Sequence, residues 1–266
     1  MIFFPNAKIN IGLNILSKRN DGYHNLETIF YPIKLYDALE IVPSNNLSFN
    51  SSGINVPYKN NLCVLAYELM KNHYDISPVS IHLHKNIPIG AGLGGGSSNA
   101  AFTLLAINDI FKLNLNKNTL KKIACELGAD CPFFIENIPS LANGIGEVLK
   151  PIHVNLEKYH LLIVTPNIFI STKEAFKDIQ CKIPPQSLSM SILQNINDWT
   201  IKNDFESSVF KLHPKIQSIK DKLIESGAIY SSLSGTGSSV YGIFSKKPQI
   251  DFTDMFTFYQ PLEFQF

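Results

Sequence analysis

The chain has 266 residues, 45% of them hydrophobic, enough to bury a core and to make two domains. Lys and Arg number 23 against 22 Asp and Glu, a formal charge of +1, so no overall basic field is present to hold nucleic acid. Four cysteines, Cys63, Cys125, Cys131 and Cys181, contain no Cys-x-x-Cys pair and are too few for a disulfide scaffold; they read as buried or incidental thiols of a reducing compartment.

Met1 to Lys8 shows no basic region followed by an apolar core, and no uncharged apolar run approaches a membrane span. A cytoplasmic protein with neither a membrane nor a nucleic-acid partner is expected. Ile9, Ile11, Leu13 and Ile15 alternate with Asn10, Gly12 and Asn14, the period of a strand, which places Lys8 and Asn10 together on the face opposite the aliphatics. That face either looks into a site or is solvated. Lys18 to Gly22 is a turn sequence, Tyr23-His24 precede an extended run from Leu26 to Ile33, and Asp37 to Val42 is a further strand. Ser44 to Asn61, rich in Ser and Asn, reads as a loop or weak hairpin. A helix follows from near Asn61, with Leu62, Leu65, Ala66, Leu69 and Met70 on one face, and Val79 to His84 alternates as a strand.

The next stretch organises the chain. Pro88-Ile-Gly-Ala-Gly-Leu-Gly-Gly-Gly-Ser-Ser98 places five glycines within seven residues, between that strand and a helical stripe of Ala101, Leu104, Leu105, Asn108 and Phe111. Glycines let backbone N–H groups close around an anion, and the helix adds donors and the positive end of its dipole, so phosphate is the natural guest. Ser97 or Ser98 occupies the expected N-cap. No lysine precedes Ser97 or Ser98 as a Walker loop requires. Gly90-Ala-Gly-Leu-Gly-Gly95 fits Gly-x-Gly-x-x-Gly, but a second helix follows where a dinucleotide fold needs a strand: Asn118-Thr119 cap it, Leu120, Ile123, Ala124 and Leu127 form its stripe, and Gly128 ends it. Asp130 then sits at a helix-to-strand junction, with Pro132 stopping helix continuation; it either caps a turn or serves a site.

Asn143 to Gly146 makes a tight turn, a strand reaches about Pro151, and Pro151 to Tyr159 is the crossing between domains. Leu161 to Val164 is a strand, Ser171-Thr-Lys-Glu174 a capping box, and Ile216, Ile219, Leu223 and Ile224 a helical stripe closed by Gly227. Ala228 to Leu233 and Ser239 to Phe244 are strands joined by the glycine turn Ser234-Gly-Thr-Gly-Ser238. The aromatic tail after Lys247 has no assigned role. The mixture of an early meander with helices reads as α+β.

Three segments together resemble one family. Pro5-Asn-Ala-Lys-Ile-Asn-Ile-Gly-Leu13 with Asp21-Gly-Tyr-His24, the cradle Pro88 to Ser98, and Leu233-Ser-Gly-Thr-Gly-Ser238 look like the three motifs of the GHMP small-molecule kinases, over a span from about Phe4 to Phe244. Lys8-Ile-Asn10, the Gly-Gly-Gly-Ser-Ser-Asn-Ala-Ala form of the loop and Leu127-Gly-Ala-Asp-Cys-Pro132 are similar to the branch that acts on a cytidine diphosphate-linked methylerythritol. The third motif reads Ser-Gly-Thr-Gly where Ser-Gly-Ser-Gly is common, which keeps both glycines and a hydroxyl.

The resemblance implies a two-domain GHMP architecture, residues 1–154 forming an N-terminal domain like the second domain of ribosomal protein S5 and residues 155–266 a ferredoxin-like C-terminal domain. It implies transfer of the ATP γ-phosphoryl group to the tertiary 2-hydroxyl of that small-molecule substrate, on the non-mevalonate route, with Mg²⁺ accompanying ATP and no dedicated protein ligand for it. By the same resemblance Asp130 is the general base and Lys8 its catalytic partner. Pro88, Ile89, Gly90, Ala91, Gly92, Leu93, Gly94, Gly95, Gly96, Ser97 and Ser98 hold ATP, and the serines cap the helix, touch phosphate or reach Mg²⁺. Asn10, Tyr23, His24, Thr172 and Phe176 match substrate positions, Phe176 having core packing as its other reading. Ser234, Gly235, Thr236 and Gly237 form the third glycine motif.

Overall fold

The computed structural model describes residues 1–177 and 179–262. The chain divides into two compact units, Met1–Lys8 with Pro32–Ile89 and Gly94–Ile138 in the first, and Ile9–Tyr31 with Gly90–Leu93 and Pro139–Phe266 in the second. Strands β1 (Ile2–Phe3), β2 (Asn6–Lys18), β3 (His24–Tyr36), β4 (Ala38–Pro43) and β5 (Ser48–Gly53) precede helix α1 (Leu62–His73), strand β6 (Val79–Lys85) and helices α2 (Gly95–Ile110), α3 (Lys117–Leu127) and α4 (Cys131–Glu136).

In the first unit one sheet has the order β1-β4-β6-β5. The Ser- and Asn-rich stretch supplies β5, which runs parallel to β6 with Phe49 opposite Ile81. Its low apolar content hid it, because the neighbouring strand supplies the pairing and the buried Ile81 and Leu83 supply the core. Helix α1 is capped by Asn61, whose side chain accepts from Cys63 N, and buries Cys63, Val64, Ala66, Tyr67 and Met70. Leu65, expected inside, is exposed: the buried face runs through Cys63, Ala66, Tyr67 and Met70 instead. Helix α3 begins earlier than expected, on Asn116, whose side chain accepts from Thr119 N at 3.0 Å. Residues 131–136, expected as a strand, form α4: a proline in the first turn loses no hydrogen bond and arrives with helical φ, so Pro132 starts the helix instead of stopping one.

In the second unit follow β7 (Ser140–Asn143), β8 (Val148–Pro151), β9 (Tyr159–Thr165), α5 (Thr172–Ala175), α6 (Leu188–Ser191), α7 (Phe205–Leu212), α8 (Pro214–Glu225), β10 (Tyr230–Leu233), β11 (Val240–Phe244) and β12 (Phe256–Leu262). Its antiparallel sheet has the order β10-β11-β9-β12, so the tail without an assigned role supplies a strand paired along the whole of β9. Leu162, Val164, Val240 and Phe244 pack there with Val209, Ile216, Ile219 and Leu223 of α7 and α8. A further sheet has the order β2-β3-β7-β8. Strand β2 is buried on both faces from Asn6 to Asn14, so the face carrying Lys8 and Asn10 is not solvated. Cys63 and Cys131 are buried thiols, Cys125 and Cys181 exposed ones. Among the described residues no helix is long and apolar enough to cross a membrane.

Candidate active site

The first unit brings Lys8 and Asp130 together. Lys8 comes from the start of β2 and is 3% exposed; its Nζ lies 3.4 Å from Oδ2 of Asp130, whose side chain is 34% exposed. Asp130 is fixed between the end of α3 at Gly128 and the proline-started α4. Burial lowers the pKa of Lys8 below the ordinary 10.5, and the charge and hydrogen bond of Asp130 oppose that shift. The ammonium is thus poorly hydrated and faces a carboxylate that still meets solvent.

The glycine run meets this pair at its far end. Gly94, with φ of 69°, is the N-cap of α2 and offers no side-chain acceptor. A Cβ there would lie 3.0 Å from Cε of Lys8 and 3.0 Å from the Phe134 ring, so glycine lets the helix start against the lysine stem. The expected serine cap is therefore corrected: α2 starts inside the glycine run, and Ser97 and Ser98 lie in its first turn. Ser98 is fully buried and its Oγ has no hydrogen-bond partner, whereas Ser97 is only partly buried. Of the two hydroxyls, only that of Ser97 is accessible to a ligand. With no acceptor on the cap, the first-turn amides of Gly95, Gly96 and Ser97 present donors and the positive helix end to an anion.

In the second unit Gly90 to Leu93 lies against the third motif. A Cβ on Gly92 would come 1.9 Å from the carbonyl oxygen of Ser234, and its φ is 75°, so only glycine fits. Ser234 Oγ donates to Gly92 O at 2.9 Å, and Ser239 N donates to Ala91 O at 3.2 Å. Gly235 and Gly237 are both left-handed, with Thr236 between them. Asn203, which the sequence did not single out, donates through Nδ2 to Leu233 O (2.9 Å) and Gly235 O (2.8 Å), holding the motif from behind. A lone asparagine between helices carries no spacing signal that would have found it.

The substrate candidates of the second unit group in two places. Asn10 belongs with the third motif: its N–H donates to Ser234 Oγ at 3.3 Å, its carbonyl accepts from Tyr241 Oη at 2.8 Å, and its Nδ2 donates to Thr28 Oγ1 at 2.9 Å. His24 and Phe176 stack, ring centroids 4.6 Å apart and 19° from parallel, while Phe176 meets Phe205 edge-on at 4.8 Å. Phe176 is thus both a partly buried core ring and a stacking partner. Partial burial, helped by nearby Lys18, keeps the His24 pKa below 6.5. Tyr23 is 60% exposed, and Thr172 is exposed at the start of α5, capped by Ser171 Oγ accepting from Glu174 N. Among the described residues no group of three or more His, Cys, Asp or Glu is placed to hold a metal ion.

Comparison with known proteins bears on this geometry. Residues 61–137 match the GHMP kinases N terminal domain and residues 188–254 the GHMP kinases C terminal domain. A 4-diphosphocytidyl-2-C-methyl-D-erythritol kinase of Parabacteroides distasonis is 49% identical over 264 residues, covering 96% of this chain and 97% of that relative. The chain belongs to this branch of the GHMP kinases. A relative of the same description from Azobacteroides pseudotrichonymphae is 51% identical, covering 92% of this chain and 94% of its own. A crystal structure of 4-(cytidine 5'-diphospho)-2C-methyl-D-erythritol kinase superposes with a TM-score of 0.76 at 30% identity, over 91% of this chain and 89% of the other. The α+β architecture of this GHMP kinase, with its N- and C-terminal family domains, agrees with the resemblance read from the three motifs.

Proposed function

We propose that the chain transfers the γ-phosphoryl group of ATP to the 2-hydroxyl of 4-diphosphocytidyl-2-C-methyl-D-erythritol, giving the 2-phosphate and ADP on the non-mevalonate route to isoprenoid precursors. The observation that carries this reading is the buried Lys8 ammonium 3.4 Å from Asp130, with the glycine start of α2 packed on its stem. Phosphoryl transfer asks for an aligned hydroxyl, neutralised phosphate charge and a path for the hydroxyl proton. Asp130 accepts that proton. Lys8 holds Asp130 ionised and orients the hydroxyl, which also makes the carboxylate a weaker base, so alignment and electrostatics carry more of the rate than proton abstraction.

Backbone amides of the Pro88 to Ser98 stretch hold the triphosphate, with Ser97 as the available hydroxyl. Mg²⁺ accompanying ATP would supply positive charge to the phosphates; no dedicated protein ligand is assigned to it, and the partly exposed Ser97 hydroxyl and Asp130 carboxylate are the side chains that could meet its bound water. Tyr23, His24 and Phe176 receive the cytosine ring and Thr172 its polar attachments, while Asn10, 2% exposed and hydrogen-bonded to Thr28 and Ser234, serves the acceptor by supporting the third motif, Ser234 to Gly237. The division at residues 154 and 155 is part of this reading; one family match ends at 137 and the other begins at 188, while the compact units described above differ from it by grouping residues 9–31, 90–93 and 139–154 with the second half. A cytoplasmic location and the absence of nucleic-acid and membrane partners belong to it too.

The test is ATP consumption by the purified chain with a panel of alcohols at fixed ATP. Turnover is expected with the cytidyl alcohol and not with mevalonate or homoserine, which carry no base for the aromatic rings. Equal turnover of mevalonate or homoserine removes the substrate assignment.

A further inference from the structure

Two further buried charges of the first unit lie outside the roles assigned above. Asp37, between β3 and β4, is 1% exposed, and Lys85, the last residue of β6, is 4% exposed. They form an ion pair between Lys85 Nζ and Asp37 Oδ2. Taking both charges out of water costs about as much as their attraction returns, so such a pair fixes a geometry more than it adds stability. The remaining bonds of Asp37 define that geometry. Its Oδ1 accepts from the backbone N–H groups of Asn86 (2.7 Å) and Ile87 (2.8 Å), the residues that lead into Pro88. Its Oδ2 also accepts from Nδ2 of Asn99 at 2.8 Å, one turn into the helix that leaves the glycine run.

The lysine reaches the same helix. A Cβ on Gly95 would lie 2.8 Å from Lys85 Nζ, so the ammonium packs directly against the first turn of α2. Burial pulls the Lys85 pKa below 10.5, and the Asp37 charge opposes it. One carboxylate therefore ties the stretch before the glycine run to the helix after it.

We propose that Asp37, acting with Lys85 and Asn99, is the positioning clasp of the nucleotide loop, fixing the distance between residues 85–87 and the first turns of α2 and so the spacing of the first-turn amides that receive the triphosphate. This rests on the kinase reading. Asp37 touches no reacting atom; it is a positioning residue whose effect falls on ATP. An ion pair that only stabilised the core would affect folding without distinguishing between the two substrates.

Asn99→Ala separates the two cases, because it removes the helix side of the clasp and leaves the Asp37–Lys85 pair intact. The full chain is titrated with a non-hydrolysable ATP analogue by calorimetry, and KM is then measured for ATP and for the cytidyl alcohol. The Kd of the analogue and KM for ATP are expected to rise about tenfold, the effect of one lost hydrogen bond to a charged group, with KM for the alcohol unchanged. Asp37→Asn is expected to shift both ATP parameters further and to lower Tm, since it leaves the Lys85 ammonium buried without its counter-charge. A lower Tm in both variants with wild-type KM for ATP overturns the clasp, as does an equal rise of both KM values in Asn99→Ala. Wild-type chain that binds the analogue yet does not phosphorylate the cytidyl alcohol overturns the substrate reading, and the titration alone then decides the clasp. Wild-type chain that does not bind the analogue overturns both.

Discussion

The Lys8–Asp130 pair of the first unit and the His24–Phe176 pair of the second are built in opposite ways. Lys8 is enclosed, with a backbone helix start against its stem and one carboxylate before its ammonium, in surroundings where water screens charge poorly. The rings are half-buried beside the exposed Tyr23 and lean on Phe205, offering a face instead of a point. A charge pair loses its effect when either atom is displaced, whereas a stacked face tolerates a shift along its plane. Under the proposed function the first pair serves turnover and the second affinity for the acceptor, and substitution separates the two.

The largest effect is expected at the enclosed pair. Lys8→Met keeps an unbranched apolar stem and removes the charge, so kcat should fall by about 10³-fold, the scale of a lost transition-state donor. Tm should change little, because the variant removes a poorly hydrated ion and the Asp130 carboxylate left behind, 34% exposed, is still solvated instead of being a buried unpaired charge. Steady-state kinetics with a melting curve on the same sample checks both, and a retained kcat breaks the contrast. Asp130→Asn should cost kcat about 10²-fold or more by loss of the base, with KM for either substrate little changed.

A smaller effect of a different kind is expected at the rings. Phe176→Ala should raise KM for the cytidyl alcohol about tenfold, within the range of one lost base–aromatic stack, while kcat and KM for ATP stay near wild type. A fall in kcat with KM unchanged would mean that the ring serves turnover and would erase the distinction. The smallest effect concerns pH. Burial holds the Lys8 pKa below 10.5, so on raising pH its ammonium is lost earlier than an ordinary lysine's, and the alkaline limb of kcat should lie below 10.5. Asp130 opposes that shift, so in Asp130→Asn the Lys8 titration, followed by NMR of the side-chain nitrogen, should move to still lower pH.

Much of this arrangement was legible in local sequence, because it is encoded by local sterics. Alternation marked β2, the glycine density marked the loop between β6 and α2, and the Ser171 capping box placed the start of α5. The residues that escaped depend on partners far along the chain. Asp37 meets Lys85 across 48 positions, and Asn203 reaches Gly235 across 32, distances over which no periodicity carries information. β5 lacked an apolar pattern of its own, and the cap of α2 was misread because serine is a good cap wherever the close approach of Lys8 does not require a residue without a side chain. The sequence placed Phe176 equally well in a core or on a ligand, and in the structure its ring stacks on His24 and meets Phe205 edge-on.

The contact between Gly92 and the Ser234 carbonyl limits how these segments can be exchanged. Even a methyl group at position 92 would overlap that oxygen. The turn 142 residues downstream thus acts as a mould for the earlier bend. Chimaeras that transplant residues 90–93 from a relative will keep the bend only where the donor also carries glycine at position 92, so the downstream turn sets which sequences the upstream segment can accept.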